Sequence, residues 1–448
     1  MRVKKKWLAA VIGHYLLSVI VILTASNNVF SDLICGLGYL IILVPIIVMT
    51  VKENKLFSPI SANIIFDISF ALYLMKLVNT YASMEVGKLF LVISCSFIWK
   101  VSIITGEGFL SNIKINQIKT QQINRISFTC LITILFVISV ASMLFEWWMA
   151  GGIPILRSDS ETFRFTVSYS SITHLFAIMN KVVAALIGVY FVNKGKISLG
   201  KDFFLLIEMF IAELLMIGTS MRGEMIMAPC IVFIVYAIKN KLPVKVYIIG
   251  CIAALAFIGI MPYLRMLRGY GVAYIMSMQS ISVYQDFYMF TPLYQSFTNN
   301  FEILNLDFTI FPKMKEFGLG IYSILPGIPF VNLGSSLMAL QNEVLNNNFY
   351  SGLTATYLAP WYADFGAIGC LAITVLYAKL ASYAYTKYIK DKTLYSLVWY
   401  GYTFYSSLWM FYNGTFNFVY ICYSIVMWFS LKTKLENQYK RKGKIASL

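Results

Sequence analysis

The arginines of three segments are the residues of this sequence best suited to chemistry. Arg222 lies in GTSMRGE, and Arg265 and Arg268 lie three positions apart in YLRMLRGYG, which also contains Tyr270. Because positions i and i+3 of a helix share a face, Arg265 and Arg268 are placed to bind one anion together. A guanidinium group binds phosphate through paired, charge-assisted hydrogen bonds that lysine does not reproduce. This spacing predicts a site for a phosphate-containing ligand, to which Arg157 and Arg164 of the polar segment 149–171 are also assigned.

An ordinary explanation of the same arginines stays open at this point. Arg222 is two positions from Glu224, so the two side chains are candidates for an ion pair, or Arg222 extends to lipid headgroups. Arg265 and Arg268 also fit the role of interfacial anchors at the end of a membrane helix.

Two carboxylates are the candidates for acid–base chemistry. Glu343 lies among amides in QNEVLNNN, a set of groups that matches the hydroxyl pattern of a sugar, and Asp364 lies in WYADFG. A carboxylate in such a place orients or deprotonates a hydroxyl, although a structural hydrogen-bonding role is the alternative for both. With two histidines, seven cysteines and no CxxC or HExxH spacing, the sequence predicts neither a metal site nor a cofactor.

The elements that position these residues are predicted to be membrane helices. The 448 residues are 59% apolar and only 12% charged, with a mean hydropathy of +0.73, whereas soluble domains have about 25% charged residues. This composition excludes ordinary cytosolic enzymes and disordered chains. Twelve apolar runs approach the ~20 residues needed to cross a bilayer: 7–25, 33–51, 59–78, 86–104, 126–148, 172–193, 202–219, 225–238, 246–263, 366–385, 394–412 and 415–431.

The basic residues predict the orientation of these runs. If the amino terminus is cytoplasmic, 24 Lys and Arg fall on the cytoplasmic side and 8 on the external side, as the positive-inside rule requires. Both termini are then cytoplasmic, and the net charge of +16 reflects topology and not nucleic-acid binding. We therefore expect an all-α polytopic membrane protein of about 12 helices in a single membrane domain, 1–448, with an external loop at 149–171 and a large, ordered external loop at 264–357 between helices 9 and 10.

Two details of the runs bear on the site. The pair of runs within 202–238 leaves about 15 residues on each side of the turn at 218–224, which predicts short helices and places Arg222 at or below the lipid phosphates. Asp67 lies in the middle of a run, where a charge is costly unless it is paired, and the other charged residues within the runs are Lys76, Lys100, Glu146, Lys181, Glu208, Glu213 and Lys379.

The order of these features resembles the bacterial O-antigen and oligosaccharide repeat-unit polymerases, the Wzy class. The resemblance covers most of the chain as topology, and its more specific parts are GTSMRGEMIM, YLRMLRGYG, SILPGIPF and NEVLNNNFYSGLTATYLAPWYADFGAIG. The paired arginine-rich loop repeats of some members have no clear copy here. This absence argues against a scheme in which two such loops capture and release the chain.

The resemblance implies a metal-independent glycosyltransferase of the bacterial plasma (inner) membrane, acting in lipopolysaccharide or capsule biosynthesis. It would join undecaprenyl-pyrophosphate-linked oligosaccharide units on the external face and release undecaprenyl pyrophosphate. Its partners would be these lipid-linked glycans, membrane lipids and a chain-length regulator protein, with no nucleic acid. In this scheme Arg222, Arg265 and Arg268 stabilise the leaving pyrophosphate, and Glu343 activates the acceptor hydroxyl.

Two other functions fit the same pattern. A glycan ligase of similar architecture would transfer the finished chain to another lipid or to protein. A flippase or other transporter for lipid-linked oligosaccharides would need an inward-facing polar cavity and, in most cases, internal repeats, and no repeat is evident in this sequence.

Overall fold

The structure of the protein is a computed structural model. It describes residues 2–26, 32–78, 83–106, 109, 125–157, 171–219, 222–240, 290–311, 355–391, 393–412 and 418–432, with single residues and short pieces between 242 and 324.

The described residues are almost entirely helical. Thirteen α-helices are found among them, and the β-structure in this part of the chain is one isolated bridge between Val78 and Ser282. The helices are α1 (Arg2–Ser26), α2 (Asp32–Lys52), α3 (Pro59–Met75), α4 (Val86–Thr105), α5 (Arg125–Ala150), α6 (Ser171–Ala177), α7 (Asn180–Lys194), α8 (Leu199–Gly218), α9 (Arg222–Asn240), α10 (Thr291–Ile310), α11 (Leu358–Asp391), α12 (Leu394–Leu408) and α13 (Phe418–Lys432).

Membrane insertion explains why these apolar segments are helical. Within a bilayer every backbone N–H and C=O must be bonded inside the segment, and a helix achieves this alone. Among the described residues, seven helical segments are long and apolar enough to cross a membrane, and α3 and α13 supply two shorter apolar helices. The expected all-α membrane protein is confirmed in this form. The count of twelve spans stays a prediction.

Most of the predicted apolar runs coincide with helices. The run 172–193 is divided into α6 and α7 by a break at 178–179, and the run 366–385 is part of the longer α11. Helix α11 is kinked at Gly366, whose φ of 62° and ψ of −152° are accessible to glycine and strained for other residues. The run 246–263 lies mostly outside the described residues.

The chain forms two compact units. The first consists of Met1–Ile113, Pro243–Thr386 and Ser406–Thr415, and the second of Lys114–Leu242, Lys387–Tyr405 and Phe416–Leu448. The single membrane domain with two external loops stays a prediction.

In the first unit, α1 to α4 pack side by side. Gly36 makes the close approach of α2 to α3 possible, since a Cβ there would lie 2.6 Å from the Ala71 carbonyl oxygen and 2.3 Å from the Met75 side chain. Aromatic rings fill the adjoining core, where Phe301 of α10 lies 5.2 Å from Phe66 and 5.4 Å from Phe70 between ring centroids.

Helix α10 belongs to the long segment 264–357 and lies across the ends of α3 and α4. Near its start, the Tyr294 hydroxyl donates to the Leu72 carbonyl (2.5 Å) and accepts from the Leu77 N–H (3.1 Å) at the carboxyl end of α3. Near its end, Thr309 accepts from Lys88 at the amino end of α4 (3.4 Å). The carboxyl end of α3 and the amino end of α4 face the same way, so both ends of α10 lie on one side of this helix pair.

The second unit is built on α5 to α9. Gly188 of α7 permits close packing on α9, because a Cβ there would lie 2.4 Å from a methyl group of Val232. Phe128 of α5 stacks on Tyr190 of α7 with ring centroids 4.8 Å apart. These contacts hold α5 and α9 against α7.

Candidate functional site

Arg222 is the first residue of helix α9 and lies four positions after Gly218, the last residue of α8. The expectation of short helices here is wrong, because α8 has 20 residues and α9 has 19, which corresponds to about 30 Å and 28 Å. Both helices extend past a charged residue at which the search for apolar runs stopped, Lys201 in α8 and Glu224 in α9. Arg222 therefore lies at the amino end of a helix that is nearly long enough to cross the membrane.

The Glu224 carboxylate is paired with Lys181 of α7. The same ammonium group lies 5.2 Å from the centre of the Tyr423 ring, and the Lys181 side chain is only 8% exposed. Beside the pair, the Tyr405 hydroxyl donates to the Gly223 carbonyl (2.7 Å). These contacts attach the first turn of α9 to two other helices, and they give Glu224 a partner other than Arg222.

The turn that carries Arg157 packs against the same end of α8. Residues Pro154–Leu156 form a short 3-10 helix after α5, and Arg157 follows it with a partly buried side chain. A Cβ at Gly218 would lie 2.5 Å from the Trp147 ring and 3.5 Å from Ile153, so these groups touch the end of α8 directly. The segment that ends with Arg157 therefore packs on the end of α8, four residues before Arg222.

This contact is supported by a small apolar cluster. Met143, Trp147, Ala177 and Met216 are each no more than 7% exposed and pack together, with Ile153 beside them. They come from α5, α6 and α8. The cluster holds the ends of these three helices at one level next to the Arg222 turn.

An apolar groove lies farther along the same helices. It has a volume of about 700 Å³ and is lined by α7, α8 and α9, including Gly188, Phe210, Pro229 and Phe233, with Glu213 as its one charged lining residue among those described. A groove with this lining suits an apolar ligand.

Asp364 lies in the first unit, in the part of α11 that precedes the kink. It is fully buried, and its carboxylate accepts from the Tyr322 N–H (3.1 and 3.2 Å) and the Ser323 N–H (2.6 Å). Burial, and then the Asp364 charge, raise the pKa of the Tyr322 phenol above its usual value. Both oxygens thus hold the backbone of residues 322–323. The catalytic role of Asp364 stays a prediction, now beside an observed anchoring role.

Asp67 forms an ion pair with Lys100, a pairing that the sequence did not reveal. Its Oδ2 lies 2.6 Å from Nζ of Lys100 in α4, and both side chains are completely buried. Ser96 donates to the Asp67 Oδ1 atom at 2.5 Å and accepts from Lys100 at 2.6 Å. The signal in the sequence was an acidic residue in the middle of the run 59–78 and a basic residue near the end of the next run, 86–104, and the pairing itself required the helix packing.

The remaining predicted site residues lie outside the described part of the chain. They are Arg164, Arg265, Arg268, Tyr270 and Glu343. Their assignments stay predictions. No family model matches the chain, and no curated protein or solved structure matches it.

Proposed function

We propose that the protein is a polysaccharide polymerase, a glycosyltransferase that joins pyrophosphate-lipid-linked oligosaccharide units at the external surface of a bacterial inner membrane. The observation that carries the proposal is the packing of Trp147 and Ile153, which precede Arg157, on Gly218, which lies four residues before Arg222, at one end of the second unit.

Two arginines at one end of a helix bundle suit a pyrophosphate leaving group. As the bond from the anomeric carbon to the pyrophosphate breaks, negative charge grows on the leaving oxygen, and fixed guanidinium groups stabilise it more in the transition state than in the ground state. Glu224 does not have to neutralise Arg222, since Lys181 pairs with it. Arg265 and Arg268 complete the pyrophosphate site in this proposal.

The groove between α7, α8 and α9 supports a lipid-linked substrate. Its lining is apolar apart from Glu213, and it lies in the same helices whose ends hold Arg222 and Lys181. A polyprenyl tail in the groove would leave its pyrophosphate near the end of α9. The proposal also includes twelve spans, cytoplasmic termini and an external position for α10.

The test uses purified protein with a synthetic lipid-linked repeat unit. A ladder of products supports the polymerase, a single transfer to a foreign acceptor supports a ligase, and translocation without transfer supports a flippase. Arg157→Ala and Arg222→Ala should each lower turnover on the order of tenfold to a hundredfold, with partial recovery in the lysine variants.

Arg125→Ala is the matched control for the arginine variants. Arg125 begins the 26-residue helix α5, about 35 Å from the Trp147 end, so its removal should leave turnover unchanged. Normal ladders from both Arg222→Ala and the Arg265→Ala, Arg268→Ala double variant, at matched protein level, would contradict the pyrophosphate site.

A further inference from the structure

We propose that His174 and Glu146 form a carboxylate–imidazole pair in which His174 is the general base of the transfer and Glu146 is its positioning residue. This inference rests on the proposed function and supplies a group to remove the proton from the acceptor hydroxyl. His174 is the fourth residue of α6, and Glu146 lies near the end of α5.

The geometry of the pair matches that of a base and its orienting carboxylate. His174 Nδ1 lies 3.2 Å from Glu146 Oε2. The carboxylate side chain is 4% exposed, whereas the imidazole is 34% exposed. A carboxylate that accepts from one ring nitrogen fixes the ring and its tautomer, and the other nitrogen is then the proton acceptor.

The burial of Glu146 adds an electrostatic reason. Its second oxygen, Oε1, is enclosed and has no hydrogen-bond partner in the described part of the chain. A buried carboxylate interacts strongly with charge that develops on a neighbouring group, because the surrounding protein screens the interaction less than water does. Positive charge develops on the imidazole when it takes a proton, so the pair is arranged to stabilise that state.

The pair lies beside the arginine-bearing turns. Glu146 is next to Trp147, whose ring contacts Gly218, and His174 is one helical turn from Ala177 in the same apolar cluster. Gly218 is four residues from Arg222. The base and the pyrophosphate site therefore belong to one end of the second unit.

The proposed step balances in atoms and charge. The acceptor oxygen forms its bond to the anomeric carbon of the growing chain while the hydroxyl proton passes to the imidazole. The bond from that carbon to the pyrophosphate oxygen breaks, and the pyrophosphate retains the electron pair. The imidazolium then gives its proton to water. No oxidant, reductant or metal takes part in this step.

The test measures transfer by the full-length protein with the lipid-linked unit across a range of pH. His174→Gln should lower kcat by on the order of a hundredfold or more with little change in KM, and it should remove the decline of kcat towards low pH. Added imidazole should restore part of the activity of His174→Ala. Glu146→Gln should lower kcat by about tenfold or more and alter the same limb of the pH profile.

Each variant is compared with wild type because other ionisable side chains lie at this end of the second unit or along α8. They are Arg157, Lys181, Lys201, Asp202, Glu208, Glu213, Arg222 and Glu224. Glu208→Gln is the matched control. Glu208 is a buried glutamate of α8 with one oxygen bonded to Thr133 (2.7 Å) and the other unpartnered among the described residues, about 15 Å along the helix from Gly218. Its variant should keep the wild-type pH profile.

The outcomes separate the two proposals. Laddered product from wild type, together with a wild-type kcat and pH profile in His174→Gln, overturns the His174 assignment and leaves the polymerase standing. A loss in His174→Gln that imidazole does not restore in His174→Ala, with an unchanged pH profile, also overturns it, because a structural role gives that result. If wild type transfers no glycan, both proposals fail.

Discussion

Removing Asp67 should destabilise the protein far more than removing Asp67 and Lys100 together. Both side chains are 0% exposed, and their charged atoms lie 2.6 Å apart in the packed interior of the first unit. Asp67→Ala leaves the Lys100 ammonium buried with only Ser96 as its remaining polar partner in this contact. An unpaired buried charge costs about 3 to 5 kcal/mol, or roughly a hundredfold to a few thousandfold in the unfolding equilibrium.

The double variant Asp67→Leu, Lys100→Met should not show this loss of stability. It removes both charges and fills most of the space, and apolar replacement of a buried ion pair is commonly neutral or stabilising by about 1 to 4 kcal/mol. Ser96 and Asn63 keep a hydrogen bond to each other (2.9 Å), so they are not left without partners. We expect the double variant to lie within about 1 kcal/mol of wild type.

Unfolding in mixed micelles, followed by tryptophan fluorescence, measures these free energies for wild type, both single variants and the double variant. Additive losses, in which the double variant is destabilised by the sum of the singles, would refute the reasoning, since the penalty would then come from lost packing and not from an uncompensated charge. Equal transfer activity in a folded double variant is also expected, because the pair is enclosed.

Three further outcomes follow from the described contacts. Gly218→Val should separate the Trp147 ring from α8, because the Cβ of any side chain at this position would lie 2.5 Å from the ring. The variant should lower transfer at least as much as Arg157→Ala. Gly200→Val is the control, since nothing lies within 4 Å of a Cβ there, and it should not lower transfer. Asp364→Asn should speed proteolysis near residue 322, because the variant loses charge-assisted hydrogen bonds to the backbone worth roughly 1.5 to 3 kcal/mol each. A fall in kcat with unchanged proteolysis would instead identify Asp364 as catalytic. Glu224→Gln should weaken the hold of Lys181 on α9 and lower thermal stability, and unchanged melting would contradict that role.

The helices of the membrane body were predictable from apolarity alone, because a bilayer imposes both length and backbone pairing. The predicted run 33–51 and helix α2 (Asp32–Lys52) differ by one residue at each end. The run 202–219 begins three residues later than α8 because the charged Lys201 interrupts the apolar pattern, and Asp202 at the start of the run is fully buried and paired with Lys194 in the structure. Apolarity locates the part of a helix in lipid, and tertiary pairing decides where it begins.

The candidate site was less accessible to sequence reasoning. Arg157 and Arg222 could be named from their residue type, but the contact between their turns depends on Trp147 and Gly218, which are 71 residues apart. Helix α10 was hidden in a predicted loop because its 20 residues mix aromatic side chains with Asn, Asp and Glu and form no continuous apolar run. The partners of Asp67 and Glu146 could not be assigned, since pairing between helices leaves no fixed spacing in the chain.

The buried carboxylates of this protein differ in what their partners can reach. Asp67 is paired with Lys100, and both side chains are completely enclosed. Asp364 accepts hydrogen bonds from backbone N–H groups. Neither carboxylate is therefore bonded, in these contacts, to an exposed side chain that could exchange a proton with a substrate. Glu146 is as buried as these, yet its partner His174 is one-third exposed. A proton can enter or leave a buried pair only through an accessible member. Burial of one group and exposure of the other therefore distinguishes Glu146 and His174 from the ion pair that stabilises the first unit. Asp202 is also buried beside a partly exposed partner, Lys194, but imidazole is the side chain suited to exchanging a proton near neutral pH, and the proton-transfer proposal is therefore made for His174.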